Sequence, residues 1–248
     1  MGKIKVVVIG ETCIDKFIYC QINRLSPEAP VPVLQPLNTE SNAGMSGNTC
    51  ANIKALSPDS QVIHFSNLKQ ITKTRYVEKK TNHMFLRVDE GDSNIESFKW
   101  SDDYKHFLEE ADVVIVSDYD KGYLTDYDLR KIAVYSKLSI LDSKRKLTNQ
   151  VTNCFTFVKL NEEEWANNID LNPNNIIVTL GSKGSMYKGE IFPSNNPQET
   201  IDVSGAGDTF TAAFALSYTT APSVPNAINY ANKVASKVVS KRGVKTPT

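Results

Sequence analysis

The sequence predicts an α/β fold, a mostly parallel sheet covered by helices on both faces, with a small antiparallel β-sheet standing off it. Three observations predict it. Short β-branched runs, apolar on both faces, alternate with helical patterns along most of the chain. The clearest helix, Val224–Ser240, carries Val224, Ala227, Ile228, Ala231, Val234, Ala235, Val238 and Val239 as one apolar stripe. Two extended stretches, one of them rich in proline, interrupt the alternation.

The elements follow in order. Ile4–Ile9 reads as a buried first strand. Phe17–Pro36 contains Ser26-Pro-Glu-Ala-Pro-Val-Pro32, which is extended but unsuited to the middle of a parallel sheet, because proline cannot donate to the ladder. Asn48–Leu56 is helical, Val62–Phe65 a strand, and Thr74–Asp89 reads as two strands around Lys79–Asn82. Together these stretches form a candidate lid over about 16–40 and 73–90. Phe98–Glu110 and Thr125–Ser136 are expected as helices, and Val113–Ser117, Ser139–Asp142, Phe155–Lys159 and Ile176–Leu180 as strands. A helix over Asp208–Thr219 precedes the last one. With no repeat, low-complexity tract or linker apparent, a single domain over 1–248 is expected.

Lys+Arg and Asp+Glu are both 28, so there is no global pull toward nucleic acid or an anionic membrane, and any anionic ligand needs a local site. Cys13, Cys20, Cys50 and Cys154 form no CxxC pair and no zinc-like spacing with His64, His83 or His106, and read as reduced, buried thiols. The apolar run after the basic start is too short for a signal peptide, and none reaches membrane-spanning length. The expectation is a cytoplasmic, soluble protein.

The strongest local signal is Ile201-Asp-Val-Ser-Gly-Ala-Gly-Asp-Thr-Phe210. Ser204, Gly205, Ala206 and Gly207 can form a tight turn leading directly into a helix. Unpaired N–H groups and the positive end of the helix dipole then converge on one point, an anion hole. An acidic Asp208 suits such a place if it accepts a proton from a hydroxyl attacking a phosphate, and an Asp of ordinary pKa, about 3.9, can take that proton late. The alternative is a helix-start acid after a glycine turn.

Asp202-Val-Ser-Gly-Ala-Gly-Asp-Thr-Phe210 resembles the second signature of the ribokinase-like (PfkB) carbohydrate kinases, and other features similar to that family follow along nearly the whole chain. Gly10-Glu-Thr-Cys-Ile-Asp15 resembles the first strand and sugar-binding Asp; Gly44-Met-Ser-Gly-Asn48 resembles the Gly-Gly-x-x-Asn turn that contacts sugar hydroxyls. Asn161-Glu-Glu-Glu164 is similar to the Asn-x-x-Glu element that organises Mg²⁺ and its waters. Thr179-Leu-Gly-Ser-Lys-Gly184 resembles the nucleotide-binding turn, with Thr179, Gly181 and Gly184, and Asn232 lies where the family touches adenine. The resemblance implies a three-layer sandwich with a β lid, Mg-ATP as donor, and Asp208 as base. Within the family, Arg24-Leu-Ser-Pro-Glu-Ala-Pro-Val-Pro-Val33 looks most like the lid of the heptose 7-phosphate kinases of lipopolysaccharide-precursor synthesis, which act on the anomeric hydroxyl. Thr72-Lys-Thr-Arg75, Leu86-Arg-Val-Asp89, Ser117-Asp-Tyr-Asp-Lys-Gly122 and Leu141-Asp-Ser-Lys144 support that likeness.

Each site residue also has a physical reason. Asp15 follows the first strand, where open α/β sheets bind ligands, and can accept from two sugar hydroxyls; otherwise it caps a loop. Asn48 offers a donor and an acceptor to a diol, or caps the next helix, or does both. Asp118 and Lys121 follow the strand Val113–Ser117; Lys121, Arg75 and Arg87 are all candidates for a substrate phosphate, and the sequence does not choose among them. Lys159 and Lys144 are candidates for the nucleotide phosphates. Glu164 is expected to hold Mg²⁺ through water, beside Asn161, while Glu162 and Glu163 read as a solvated helix start.

Three departures from the family pattern stand out. Met45 replaces the second glycine, the segment between Phe65 and Thr72 lacks a helix and strand, and Trp165–Asn175 is short. The expectation is a kinase trimmed by two missing helical segments, with bare apolar surface there buried in a homodimer or against the lid. No His-x-Gly-His occurs, so nucleotide-sugar synthesis is not expected from this chain. A P-loop and the protein-kinase motifs are absent as well. The rivals are a kinase for another sugar or nucleoside, and an inactive sugar- or nucleotide-binding regulator. Ser240–Val244 resembles the family's segment for a monovalent cation.

Overall fold

Alternation along the first strand, β1 (Lys5–Gly10), sets the layering: Val7 and Ile9 pack in one apolar cluster, Val6 and Val8 in another. The computed structural model describes residues 3–194, 205–239 and 246–247. In chain order the further elements are β2 (Thr12–Leu25), β3 (Pro32–Met45), α1 (Ser46–Leu56), β4 (Gln61–Phe65), β5 (Thr72–Glu78) and β6 (Met84–Glu90). Then come α2 (Asp102–Glu110), β7 (Val113–Asp118), α3 (Asp126–Val134), β8 (Ser139–Ser143), α4 (Asn149–Thr152), β9 (Phe157–Asn161) and α5 (Glu162–Ala166). β10 (Ile176–Thr179), β11 (Ser185–Tyr187), β12 (Glu190–Phe192), α6 (Ala206–Thr220) and α7 (Val224–Val239) complete them.

The main sheet has the order β12-β11-β10-β9-β8-β7-β1-β4, parallel from β4 to β10 and antiparallel through β11 and β12. The short antiparallel edge was not apparent from the sequence. Val114, Val116, Leu141, Val158 and Leu160 face the cluster shared with Leu108 of α2, and Leu129 and Ile132 of α3. Val113, Ile115, Ile140 and Phe157 face Ile53 of α1, Phe210 and Phe214 of α6, and Ile228 of α7. Period-2 strands apolar on both faces can be buried only between two helical layers, so this is the three-layer α/β sandwich expected. Because the strands run parallel, the ends of β7, β8, β9 and β10 and the loops after them gather at one edge of the sheet, where ligands of open α/β folds bind.

The second sheet has the order β3-β2-β5-β6. Its outer ladders are antiparallel, while the central β2–β5 ladder is parallel. A register shift between Tyr19 and Cys20 leaves Leu37 as an extra residue beside Pro36, which lacks an N–H for the ladder.

Some expectations are corrected. The helix expected from Phe98 starts at Asp102, because the backbone N–H of Phe98 donates to Tyr123 O at 2.7 Å and its ring packs on Trp100, Tyr104 and Tyr123. The chain does pass from β4 to β5 without a helix, and α5 is one short turn. Beside β4 the sheet is only partly covered: Phe65 packs edge-on against Tyr104 and at a tilt against Phe107 of α2, and no residue of β4 is fully buried. Exposed apolar residues stand in both shortened stretches, Leu68 at 92% and Ile169 at 74%, and also on the second sheet, among them Leu25, Leu37, Met84, Phe85 and Leu86. No helix among the described residues is long and apolar enough to cross a membrane.

Candidate active site

The glycine turn enters α6 through Gly205, whose φ of 81° is left-handed and costs glycine little. Ser204, expected to take part in this turn, lies outside the described residues, as does Ser240–Val244. Gly207 stands against the Lys159 side chain: a Cβ built there would lie 2.8 Å from Lys159 Nζ. The ammonium of Lys159 thus sits under the positive end of α6, an unfavourable place for an isolated cation. Asp142 offsets this, accepting from Lys159 Nζ at 3.1 Å on both oxygens and from the Thr211 hydroxyl at 3.0 Å. Burial would raise the Asp142 carboxyl, but Lys159 and Lys144 outweigh it and hold it below its ordinary value.

Asp208, in the first turn of α6, is 5% exposed. One of its oxygens accepts from Asn48 Nδ2 at 2.7 Å, the other from the Tyr119 hydroxyl at 2.9 Å. Burial, and then the negative Asp142, push its carboxyl up to about 6, against the pull of Asn48, Lys159 and Tyr119. This departs from the ordinary value expected from the sequence, and the cause is the closed surroundings. A carboxyl near 6 is still mostly ionised at neutral pH and is a better proton acceptor than an exposed aspartate. The Tyr119 hydroxyl is held well above its ordinary value by burial and by Asp208, so it remains a donor.

Two networks hold these groups. From α1, Asn52 Nδ2 donates to Asn48 Oδ1 at 3.1 Å, while the Thr209 hydroxyl donates to Asn52 Oδ1 at 2.8 Å. This ties the helix carrying Asn48 to the helix carrying Asp208. Just after β1, the fully buried Glu11 accepts the backbone N–H groups of Tyr119 and Lys121 at 2.9 Å and of Tyr123 at 3.3 Å. A single carboxylate thereby shapes the loop that presents Tyr119. Gly10 allows this close approach, since a Cβ there would strike the carbonyl of Ser117.

Around Asp208 opens a cleft of about 760 Å³. Of the residues expected from the sequence, Gly205, Ala206, Gly207, Asp208, Lys144, Lys159, Asn161, Thr179, Gly181 and Asn232 line it. Glu162 and Glu163, expected to be merely solvated, line it too. Asn161 and Glu164 form a capping box at α5, with Asn161 N–H donating to Glu164 Oε2 and Glu164 N–H to Asn161 Oδ1, both at 2.7 Å. Lys144 takes the other oxygen of Glu164. Asn232 clamps the β11–β12 hairpin, accepting from the Ser185 hydroxyl at 2.6 Å and donating to Phe192 O at 2.9 Å. Gly184 serves the same hairpin from outside the cleft lining: its φ is 100°, and a Cβ would meet Ser194 N at 2.6 Å.

The expected substrate residues form a different picture. Asp15 pairs with Arg75, and Gly44 leaves the room, as a Cβ there would strike the Asp15 carboxylate and lie 2.6 Å from Cys13 Sγ. Arg87 forks onto Asp89, donating from Nε and Nη2 at 2.9 Å each. Lys121 pairs with Asp92 at 2.9 Å. Asp118 is fully buried and engaged by Arg145 at 2.6 and 2.8 Å and by the Ser143 hydroxyl at 2.6 Å, which makes it a brace between β7 and the loop after β8. Tyr119, Asp142, Glu11 and Arg145 were not singled out from the sequence. The first three lie within motifs that were, beside the residues chosen, and their position at strand ends was the available signal. Met45 has φ 56° and ψ −135°, a conformation natural to the glycine it replaces, and its side chain is buried. The thiols of Cys13 and Cys50 are pushed up to about 12 by burial, which leaves little thiolate; Cys50 and Cys154, expected to be buried, are only partly so.

The profile of pfkB family carbohydrate kinases matches residues 60–248. The chain belongs to this family. It is therefore a sugar kinase, a phosphotransferase with an alcohol group as acceptor. The bifunctional protein HldE of Caulobacter sp. (strain K31) is 29% identical over 300 residues, covering 98% of this chain and 61% of that protein. That of Helicobacter pylori (strain J99 / ATCC 700824) is 31% identical over 299 residues, covering 96% and 63%. The chain thus spans less than two-thirds of the length of these relatives. Arabidopsis thaliana ribokinase, solved with ribose and ATP, superposes with a TM-score of 0.69 at 18% identity, covering 98% of this chain and 94% of that one. Thermotoga maritima ribokinase gives 0.72 at 15%, covering 97% and 94%. Both share the ribokinase-like fold.

Proposed function

We propose that this sugar kinase transfers the γ-phosphate of ATP to the anomeric hydroxyl of a heptose 7-phosphate, with Asp208 as the base. The observation that carries the reading is the buried carboxylate of Asp208, raised to about 6, at the start of α6 in the wall of a large cleft lined with lysines. Phosphoryl transfer needs mainly positioning and charge neutralisation. Lys144 and Lys159 supply positive charge on the donor side, and the open N–H groups of the turn at Gly205–Gly207 supply fixed dipoles. Asn48 and Tyr119 hold the carboxylate so that it faces an acceptor hydroxyl rather than rotating. Asp208 then takes the proton as the oxygen attacks, and ADP leaves.

The residues fit a Mg²⁺ brought by the nucleotide. No group of three acidic, histidine or cysteine residues able to cage a metal occurs among the described residues, and both oxygens of Glu164 are already engaged. Asn161 and Glu164 would hold such an ion through water, as suits a cation that gives up its hydration shell reluctantly. Its chemistry would be neutralisation of charge on the phosphates. The second sheet, about 16–40 and 73–90, would act as a lid on a single domain spanning 1–248, and its exposed apolar residues would suit a homodimer contact.

The test is ADP release with Mg-ATP and a panel of sugar 7-, 6- and 1-phosphates beside the free sugars. Turnover on a heptose 7-phosphate, with the product phosphorylated at C1, supports the reading. Preference for another sugar corrects the substrate; ATP binding without turnover on any sugar gives the regulator reading instead.

A further inference from the structure

We infer that Lys73, a residue not among the expected phosphate ligands, is the cation that holds the anionic group of the acceptor. The inference rests on the acceptor being a sugar phosphate. Three basic residues were candidates for that role, and in the structure each already has a carboxylate: Arg75 has Asp15, Arg87 has Asp89, and Lys121 has Asp92. The Lys73 side chain has no ion pair or hydrogen bond among the described residues, although the residue is half-buried.

Its place in the second sheet makes this notable. Lys73 of β5 is in register with Asp15 of β2 on one side and with Asp89 of β6 on the other. Cross-strand neighbours in register share a face, so Lys73 stands between two carboxylates that could each have paired with it. Arg75 takes the first and Arg87 the second, both from the next residue along that same face. Asp92 feels Lys73 as well, but Lys121 is its main partner. Each carboxylate near Lys73 therefore has a nearer cation, and Lys73 is the surplus positive charge.

That charge points toward the chemistry. Lys73 Nζ lies 5.7 Å from the centre of the Tyr119 ring, whose hydroxyl donates to Asp208. Lys144, which lines the cleft, lies 5.7 Å from the same ring. Tyr119 thus has one lysine from the cleft wall and one from the second sheet, beside Asp15. A half-buried ammonium without a counter-ion favours an anion that arrives with the ligand, and a phosphate monoester offers oxygens for the three donors of a lysine.

The experiment compares wild type with Lys73→Met, which keeps the length of the side chain, and Lys73→Arg, which keeps the charge. Each is assayed with a heptose 7-phosphate and with the unphosphorylated heptose. The wild-type preference in kcat/KM for the phosphorylated sugar should fall at least about tenfold in Lys73→Met, as for loss of one charge-assisted hydrogen bond, and be largely restored in Lys73→Arg. An unchanged preference, with both sugars losing equally or neither losing, overturns the inference. Calorimetric binding of the heptose 7-phosphate is measured in parallel. If wild type binds it without turnover and Lys73→Met weakens that binding, the kinase reading fails while the assignment of Lys73 stands. If wild type does not bind it, both fall. Circular dichroism of the variants separates misfolding from either result, and a misfolded Lys73→Met leaves Lys73→Gln to be read by the same ratio.

Discussion

Replacing Asp208 by Asn should stabilise the protein at neutral and alkaline pH while removing its activity. The folded structure holds this carboxyl at about 6 where its ordinary value is 3.8, a shift of about two units, and each unit is 1.36 kcal/mol. A folded acid with a raised pKa binds its proton more tightly folded than unfolded. Stability is therefore lost as pH rises through the window from 3.8 to about 6, and the full penalty, about 3 kcal/mol, is present above pH 7. Asparagine has no proton to lose and escapes that penalty. It also fits less well: both oxygens of Asp208 accept, from Asn48 and Tyr119, and an amide turns a donor toward one of them, at about 1 kcal/mol. The expected net gain is about 1–2 kcal/mol at pH 8, roughly 3–6 °C in Tm, and little or a slight loss at pH 5. Turnover should fall on the order of 10²–10⁴-fold through loss of the base. Thermal or urea unfolding of both proteins at pH 5, 6, 7 and 8, with ADP release at pH 8, makes the comparison; other titrating groups cancel between the two chains. A stability gap that does not widen with pH refutes the burial argument, and retained turnover removes Asp208 from the mechanism.

Tyr119→Phe removes a hydrogen bond that pulls the Asp208 pKa down, so the acidic limb of the kcat/KM profile should move to higher pH by up to about one unit; an unmoved limb would show that the hydroxyl does not bear on the base. Glu11→Gln turns an amide donor toward backbone N–H groups that now share one buried carboxylate, which should cost about 2–4 kcal/mol by urea unfolding; a loss under 1 kcal/mol would mean the loop does not depend on it. At Met45, whose φ is 56°, glycine relieves strain worth about 1–3 kcal/mol that alanine retains, while both lose the buried side chain. Met45→Gly should therefore be more stable than Met45→Ala, the reverse of their usual order, and melting temperatures that rank the two the other way would count against the strain.

Much of the architecture was legible because it depends on local pattern. Strands such as Val113–Asp118, buried at every position, can lie only between two layers, and α7 carries its apolar stripe in the spacing of its residues. The glycine turn, Asp208 after it, and the Asn161–Glu164 box could be read for the same reason, since the groups involved lie within one turn of each other. Boundaries were harder where a distant partner set them, as at Phe98, held by the carbonyl of Tyr123.

By itself, then, the sequence determined the layers, the order of the parallel strands' motifs, and which short segments could bear the chemistry. Only the tertiary structure decided which charges remain free to act. Asn48 meets Asp208 across 160 residues, Glu11 reaches Tyr119 across 108, and Arg75 reaches Asp15 across 60. Which cation is paired is not written in a residue type: Arg75, Arg87, Lys121 and Lys73 look alike in the chain, and differ because folding pairs each of the first three with a carboxylate and leaves the Lys73 side chain without an ion pair among the described residues. The raised pKa of Asp208 has the same origin, since burial and the neighbouring Asp142 exist only once the chain has closed around it.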